Sequence, residues 1–76
     1  MVNNRVEALE FIAGKQAGIC GKPLKELKIK NNCLIACIIR EGEVIIPDGN
    51  ACIMPSDNVI AVTTHKNFDD LTDIFE

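Results

Sequence analysis

The segment from Cys33 to Arg40 has the most continuous hydrophobic pattern in the chain, because apolar side chains fill both alternating sets of positions. This pattern is typical of a strand that is covered on both faces. Glu41-Gly42 then supplies a tight turn, and the residues up to Pro47 are rich in β-branched side chains. We therefore predict an antiparallel hairpin over residues 33–47, with its second strand at a sheet edge because it ends in proline.

Turn signals divide the rest of the second half of the chain. Pro47–Asn50 and Pro55–Asp57 combine proline with aspartate, glycine or serine, and a short extended piece over residues 51–54 lies between them. Asn58–Thr64 follows, with Ile60 and Val62 on one face. This segment is predicted to be the last strand.

The pattern near the start of the chain fits two structures. Residues 5–12 have apolar side chains at helical spacing, but the run is short and ends at Ala13-Gly14. Periodicity therefore does not decide between a helix and a strand.

Two short helices are expected. Residues 21–27 carry Pro23, which suits a first helical position, and Leu24 and Leu27 lie on one face. Near the C-terminus, Asn67 is expected to cap a helix with acidic residues in its first turn. Its apolar stripe is predicted to dock on the sheet, or alternatively to bind a partner helix; the stripe consists of Phe68, Leu71, Ile74 and Phe75.

These elements predict an α+β fold in a single domain over residues 1–76. Its sheet is small and mostly antiparallel, with a short helix after the first strand and a C-terminal helix. A domain of 76 residues buries too little surface to be very stable alone, so a disulfide, a metal or a partner subunit is expected to help.

Charge and hydrophobic segments exclude several classes of function. A net charge of −3 gives no basic footprint for nucleic acid or anionic lipid. The longest wholly apolar run, Cys33 to Ile39, is far too short to span a bilayer. No secretory signal pattern opens the chain, so we expect a cytoplasmic location.

Four cysteines raise the question of zinc or disulfides. Cys33 and Cys37 are close in sequence, but positions four apart on a strand are separated by roughly 13 Å, too far for a shared metal or a disulfide. We predict free cysteines, no metal and no catalytic residue. The lone histidine, His65, is expected to be solvated or to cap a strand end.

One anion site is suggested by spacing. Arg40 ends the central strand opposite the turn that contains Asp48, Gly49 and Asn50, and a guanidinium beside exposed turn amides can bind an anion. The alternative is a rim ion pair from Arg40 to Glu41 or Glu43. Both interpretations are open at the sequence level.

Four motifs occur in an order that resembles the TrkA C-terminal domain family, also called the RCK C-lobe. They are a Gly-Lys-x-Leu-x-Glu-Leu segment, a strand ending Ile-x-Arg-x-Gly, an Ile-Pro-x-Gly-x turn, and an Asp-x-Val strand start. In this chain they are Gly21–Leu27, Ile38–Gly42, Ile46–Asn50 and Asp57–Val59. The chain departs from the family pattern at Ser56, which stands where the family has glycine.

The resemblance implies a fold and a function. It implies that the first segment is a strand over residues 7–13. It also implies a non-enzymatic regulatory module of potassium uptake, cytoplasmic and peripheral to the membrane, that forms homodimers. Such modules usually follow a nucleotide-binding lobe in a longer subunit and act on a membrane-embedded cation transporter. Some relatives bind a small effector such as a cyclic dinucleotide, and the domain itself needs no cofactor.

Other interpretations differ in class. The chain could be a purely structural dimerisation unit, or the regulatory domain of another cation transporter or antiporter. A thiol or metal enzyme is a further alternative, which predicts a reactive cysteine or bound zinc.

Overall fold

An antiparallel four-stranded sheet, in the order β1-β4-β2-β3, organises the computed structural model, which describes residues 6–14, 18–64 and 68–76. Its strands are β1 (Glu7–Ile12), β2 (Cys33–Arg40), β3 (Glu43–Ile45) and β4 (Asn58–Thr63). The predicted hairpin and last strand are confirmed. The first segment is a strand, as the resemblance implies.

A bulge in β2 sets which of its side chains are buried. Ile35 pairs with Ala61, but the next pair along β4 is Cys37 with Ile60, so Ala36 is an extra residue. Side chains three positions apart would otherwise lie on opposite faces of a strand. The bulge therefore brings both Ile35 and Ile38 to the buried face.

The β2–β3 hairpin closes through a two-residue turn. Glu41 and Gly42 have φ values of 52° and 81°, both in the left-handed region, as expected for the turn type that matches strand twist. Glycine adopts this conformation without strain. The short β3 lies at the edge of the sheet, as the proline that follows it predicts.

One face of the sheet carries the hydrophobic core. Alternate β4 residues Val59, Ala61 and Thr63 are buried on this face. The chain outside the strands covers them with side chains that are less than a tenth exposed, namely Ile19, Leu24, Ile53, Leu71 and Ile74. Apolar burial of this kind contributes roughly 25 cal/mol for each Å² removed from water.

The predicted one or two helical turns after the first strand are not confirmed as an α-helix. The described chain here forms only a 3₁₀ turn over Leu24–Glu26, after which Leu27 is already extended. Leu24 and Leu27 are three residues apart, which matches the three-residue period of a 3₁₀ helix better than the 3.6-residue period of an α-helix. A backbone bridge between Pro23 and Cys52 also holds the entry to the turn extended.

The predicted C-terminal helix is likewise not confirmed as an α-helix. Leu71–Ile74 is a 3₁₀ turn, and its end is drawn into an extended bridge between Phe75 and Ile29. The predicted docking is confirmed, because Leu71 and Ile74 are fully buried against the sheet. Their spacing of three residues places both on one face of the 3₁₀ turn.

Capping of this turn also differs from the expectation. Asp70 is the cap, because its Oδ1 accepts a hydrogen bond from the Leu71 N–H at 2.7 Å. The Asp73 carboxylate accepts in return from the backbone N–H groups of Asp69 and Asp70, which completes a capping box. The predicted cap, Asn67, lies outside the described residues.

Within the described ranges, no helix has the length and hydrophobicity needed to cross a membrane.

Ser56 adopts the backbone conformation for which its glycine counterpart in the family pattern is suited. Its φ is 76°, a left-handed value that costs a non-glycine residue about 1–2 kcal/mol. The Ser56 N–H also donates to the carbonyl of Ala13 at 2.8 Å, so the conformation is held in place.

We expect Ser56→Gly to raise the free energy of unfolding by about 0.5–1 kcal/mol, since relief of strain exceeds the extra chain entropy of glycine. Urea denaturation followed by circular dichroism measures this change. Ser56→Ala is the matched control, because it removes the hydroxyl and keeps the strain. Equal stability of the two variants would contradict the assignment of strain to this residue.

Candidate functional site

Arg40 and Asp57 form a two-pronged ion pair between two neighbouring strands. Arg40 is the last residue of β2, and Asp57 directly precedes β4. The Arg40 Nε donates to Asp57 Oδ1 at 2.9 Å, and Nη2 donates to Oδ2 at 2.8 Å. This is the bidentate geometry that makes arginine–carboxylate pairs strong and directional.

Further hydrogen bonds attach the same pair to the loop between the strands. Arg40 Nη2 also donates to the carbonyl of Cys52 at 2.9 Å, and the Met54 N–H donates to Asp57 Oδ2 at 2.9 Å. We call the contacts of Arg40 with Asp57 and with this loop the Arg40 clamp. It fixes the path of residues 52–57 against the end of β2.

Burial is uneven across the clamp. Asp57 is 1% exposed, whereas the Arg40 side chain is 37% exposed. Hydrogen bonding from Arg40 lowers the pKa of Asp57, and it does so against the effect of burial, which favours the neutral acid. The Met54 N–H lowers the pKa of Asp57 further. The same pairing raises the pKa of Arg40, so both groups are charged near neutral pH.

The turn that was predicted to share an anion site with Arg40 has its own hydrogen bonds. Asp48 Oδ1 accepts from the Asn50 N–H at 2.9 Å, and the Gly49 carbonyl accepts from the Lys25 N–H. In the described part of the chain, the Arg40 donors bond to Asp57 and Cys52 and not to this turn. The anion site of Arg40, Asp48, Gly49 and Asn50 stays a prediction. The ion pair with Asp57 weakens the electrostatic attraction of Arg40 for an anion.

The alternative prediction was an ion pair between Arg40 and a nearby glutamate. Arg40 does form an ion pair, but with a different residue. Arg40 pairs with Asp57 and not with Glu41 or Glu43. Spacing along the chain favoured the near glutamates, but adjacency of β2 and β4 in the sheet brings the distant aspartate closer. A signal was present, because the Arg40 and Asp57 positions belong to two of the four motifs that carry the family resemblance.

A cleft of about 450 Å³ opens beside the clamp. Its walls include Glu41, Met54, Pro55 and Ser56 together with the clamp pair. The Nη1 of Arg40 is the part of the guanidinium that the clamp contacts do not use. Because Glu41 adds a negative charge at the same opening, the cleft has no strong net attraction for anions.

A second candidate site, besides the Arg40 clamp, is the face of the sheet opposite the core, which we call the outer face. Its large exposed side chains are Ile12, Leu34 and Val44, with exposed fractions of 71%, 64% and 64%. Cross-strand pairs extend the apolar surface between them: Leu34 with Val62, Cys37 with Ile60 and Ile39 with Val44. The described residues leave Leu34 of β2 exposed on this face, so within them β2 is not fully covered on both sides as the sequence pattern predicts.

The cysteines behave as free thiols. All four are unpaired by disulfides and half-buried. Cys33 lies within hydrogen-bond distance of the Thr63 hydroxyl at 3.2 Å, and Cys20 donates to the Gly14 carbonyl. The described ranges contain no cluster of three or more side chains suited to a metal ion. His65 lies outside those ranges.

We expect Asp57→Ala to lower the free energy of unfolding, measured by urea denaturation, by about 2–3 kcal/mol, because it removes the acceptor of the Met54 N–H and of Arg40 Nε. Glu26→Ala, an exposed glutamate in the first 3₁₀ turn, is the control and is expected to change stability little. Equal losses in the two variants would contradict the role of the clamp.

The clamp also predicts a pH dependence of stability. A lowered pKa in the folded chain means that Asp57 stabilises the fold above its ordinary pKa of 3.8 and that this stability is lost as pH falls through the lowered value. Thermal unfolding between neutral and acidic pH checks this for the wild type and for Asp57→Asn. The variant is expected to lose less stability over the acid range, and parallel curves would contradict the prediction.

Comparisons with known proteins agree with the motifs. The model of the TrkA-C domain family matches residues 9–76. The chain is 28% identical over 71 residues to Trk system potassium uptake protein trkA homolog 1 of Methanosarcina mazei, covering 93% of this chain and 18% of that protein. It is 30% identical over 71 residues to a Trk system potassium uptake protein TrkA homolog of Pyrococcus abyssi, covering 92% of this chain and 31% of that protein.

A second Methanosarcina mazei protein, TrkA homolog 2, is 25% identical over 71 residues, which cover 93% of this chain and 16% of that protein. The chain therefore spans less than a third of the length of these relatives. Because the family match covers nearly all of the sheet and the clamp, this chain belongs to the TrkA-C domain family.

Proposed function

We propose that this chain is a regulatory module of a potassium uptake system that self-associates, senses a ligand and acts on a membrane-embedded transporter without catalysing a reaction. Membership of the TrkA-C family supports the regulatory role. The names of its relatives, which are potassium uptake proteins, support the choice of transport system. We place it in the cytoplasm, at the inner surface of the membrane.

The observation that carries the proposal is the apolar outer face. A sheet with one face on the core normally has polar residues on the other, but here Leu34, Ile60 and Val62 form a continuous apolar surface across β2 and β4. Exposed apolar patches of this kind mark interaction sites. A second copy can cover the patch through a two-fold axis, since an isologous interface needs one self-complementary surface.

Self-association also meets the stability requirement of a small domain. Burial of Leu34 and Val44 between two copies removes apolar area from water that one chain leaves exposed. Such a partner stabilises the folded state by mass action, so stability rises with protein concentration. Formation of the proposed homodimer would therefore also stabilise the folded state of each chain.

Regulation would follow from two arrangements of the dimer with different affinities for a ligand. A typical coupling of about 1–3 kcal/mol changes the populations several-fold to a hundred-fold. The greater length of the relatives leaves room for the nucleotide-binding lobe that the resemblance implies. In that arrangement the Arg40 clamp would keep the sheet rigid while the lobes move.

We expect the wild-type chain to sediment as a dimer at micromolar concentration and Leu34→Gln to shift it to a monomer, because a polar amide would be buried without a partner. Sedimentation equilibrium over a dilution series measures the change. Lys22→Gln, at an exposed position before the first 3₁₀ turn, is the control and is expected to remain dimeric. A monomeric wild type, or a Leu34→Gln variant that dimerises fully, would contradict self-association through this face.

Ligand sensing is tested separately by thermal shift. An effector that binds the folded dimer is expected to raise the melting temperature as its concentration increases, because the stabilisation grows with the logarithm of one plus the ratio of its concentration to its dissociation constant. A panel of cyclic dinucleotides is the first set of probes, and Asn50→Ala tests the predicted turn. A dimer whose melting temperature no cyclic dinucleotide changes would favour the alternative of a purely structural dimerisation unit.

A further inference from the structure

The two edges of the sheet differ in how well they resist pairing with another strand. β3 has three residues, begins with Glu43, and is followed closely by Pro47. Short length, charge and proline are devices that protect natural edge strands. β1 has six residues, contains no proline, and keeps an unbroken register with β4. Its charged residues, Glu7 and Glu10, disfavour an acidic partner strand but not a basic one. Among the described residues, β1 is therefore the edge that can accept a strand of the right charge.

The hydrogen bonding of β1 identifies which backbone groups face outward. The Ala13 N–H donates to the carbonyl of Asp57 at 2.8 Å, so odd-numbered residues at this end of the chain bond toward β4. Because bonding alternates along an antiparallel strand, Ala8, Glu10 and Ile12 turn their N–H and C=O groups to the opposite side. Among the described residues, β1 pairs with β4 alone.

The side chains along this edge form an apolar–acidic–apolar pattern. Val6 and Ile12 are 65% and 71% exposed, and Glu10 lies exposed between them. Asn58, the first residue of β4, donates from Nδ2 to Glu10 Oε2 at 2.7 Å, which fixes the carboxylate on the outer face of the sheet. No lysine or arginine occurs from Val6 to Gly14, so nothing in this segment neutralises the charge.

We propose that β1 accepts an additional strand from an extended basic segment of the transporter, a proposal that rests on the proposed function. Such a segment would bond to the outward backbone groups of β1 and place lysine or arginine opposite Glu10, with apolar residues two positions to either side, opposite Ala8 and Ile12. Cytosolic segments next to membrane spans are rich in lysine and arginine.

Charge favours this occupant over a second copy of the chain. Two β1 strands paired about Glu10 would place the Glu10 carboxylates of both copies opposite each other, and like charges across strands are destabilising. A basic segment would instead form a favourable cross-strand pair with Glu10.

The test uses a fluorescein-labelled synthetic peptide in which valine, lysine and valine alternate with threonine, titrated with the 76-residue chain and followed by anisotropy. We expect saturable binding that Ala8→Pro weakens about tenfold, because proline removes an outward N–H donor and leaves the bonds to β4 intact. Ala8→Val is the matched control and is expected to bind like the wild type.

Charge reversal provides a second variant that leaves the backbone unchanged. Glu10→Lys is expected to bind the lysine peptide more weakly and to bind a peptide with glutamate in place of lysine more tightly. This result would stand even if Ala8→Pro failed to fold, which circular dichroism would show.

Three results would overturn the proposal. The first is no saturable binding of the peptide by the folded chain, and the second is equal binding by the wild type and a folded Ala8→Pro variant. The third is a dimer that Ala8→Pro dissociates, because the strand that pairs with β1 would then belong to a second copy. Failure of the proposed function is separate. The proposed function is tested by sedimentation of the wild type and Leu34→Gln, and by potassium uptake in cells. Neither measurement involves the peptide.

Discussion

The Arg40 clamp is the contact that makes the second half of the chain a single structure. β2 and β4 are neighbours in the sheet, but in sequence they are separated by the Glu41-Gly42 turn, by β3 and by the loop over residues 46–57. The ion pair joins the end of one strand to the start of the other at 2.8 Å, and its hydrogen bonds to Cys52 and Met54 fix the loop between them. The turn containing the strained Ser56 lies beside the buried carboxylate, so the position of Asp57 depends on both.

A single sheet with two apolar faces is the second constraint. Only one face is covered by the described part of the chain, and 3₁₀ turns and extended segments are what cover it. The outer face keeps large side chains such as Leu34 and Ile12 in solvent. This arrangement is costly for an isolated monomer, which is the physical basis of the proposed self-association. The β1 edge differs from the outer face in chemistry, because it combines outward backbone groups with the Glu10 carboxylate.

Much of the fold could be predicted from local patterns, and most of the errors have one origin. The strands over 33–40 and 58–63 follow from apolar alternation, and Glu41-Gly42 follows from turn chemistry. The two helices were predicted from apolar residues three apart, a spacing that fits an α-helix and a 3₁₀ turn alike. Isolated β-bridges at Pro23 and Phe75 favoured the 3₁₀ turns over α-helices, because they hold the flanking chain extended. The site was half predicted: Arg40 was identified, but its partner is distant in sequence and belongs to another strand.

The sequence by itself determined the hairpin, the last strand, the aliphatic core and the family, because each depends on the order and polarity of residues close together in the chain. Only the tertiary structure decided that Arg40 binds Asp57, that Ala36 forms a bulge and that residues 6–14, 18–64 and 68–76 leave one apolar face exposed. The physical reason is that these features depend on which strands become neighbours. The order β1-β4-β2-β3 brings together groups that lie far apart along the chain, and local periodicity carries no information about that order.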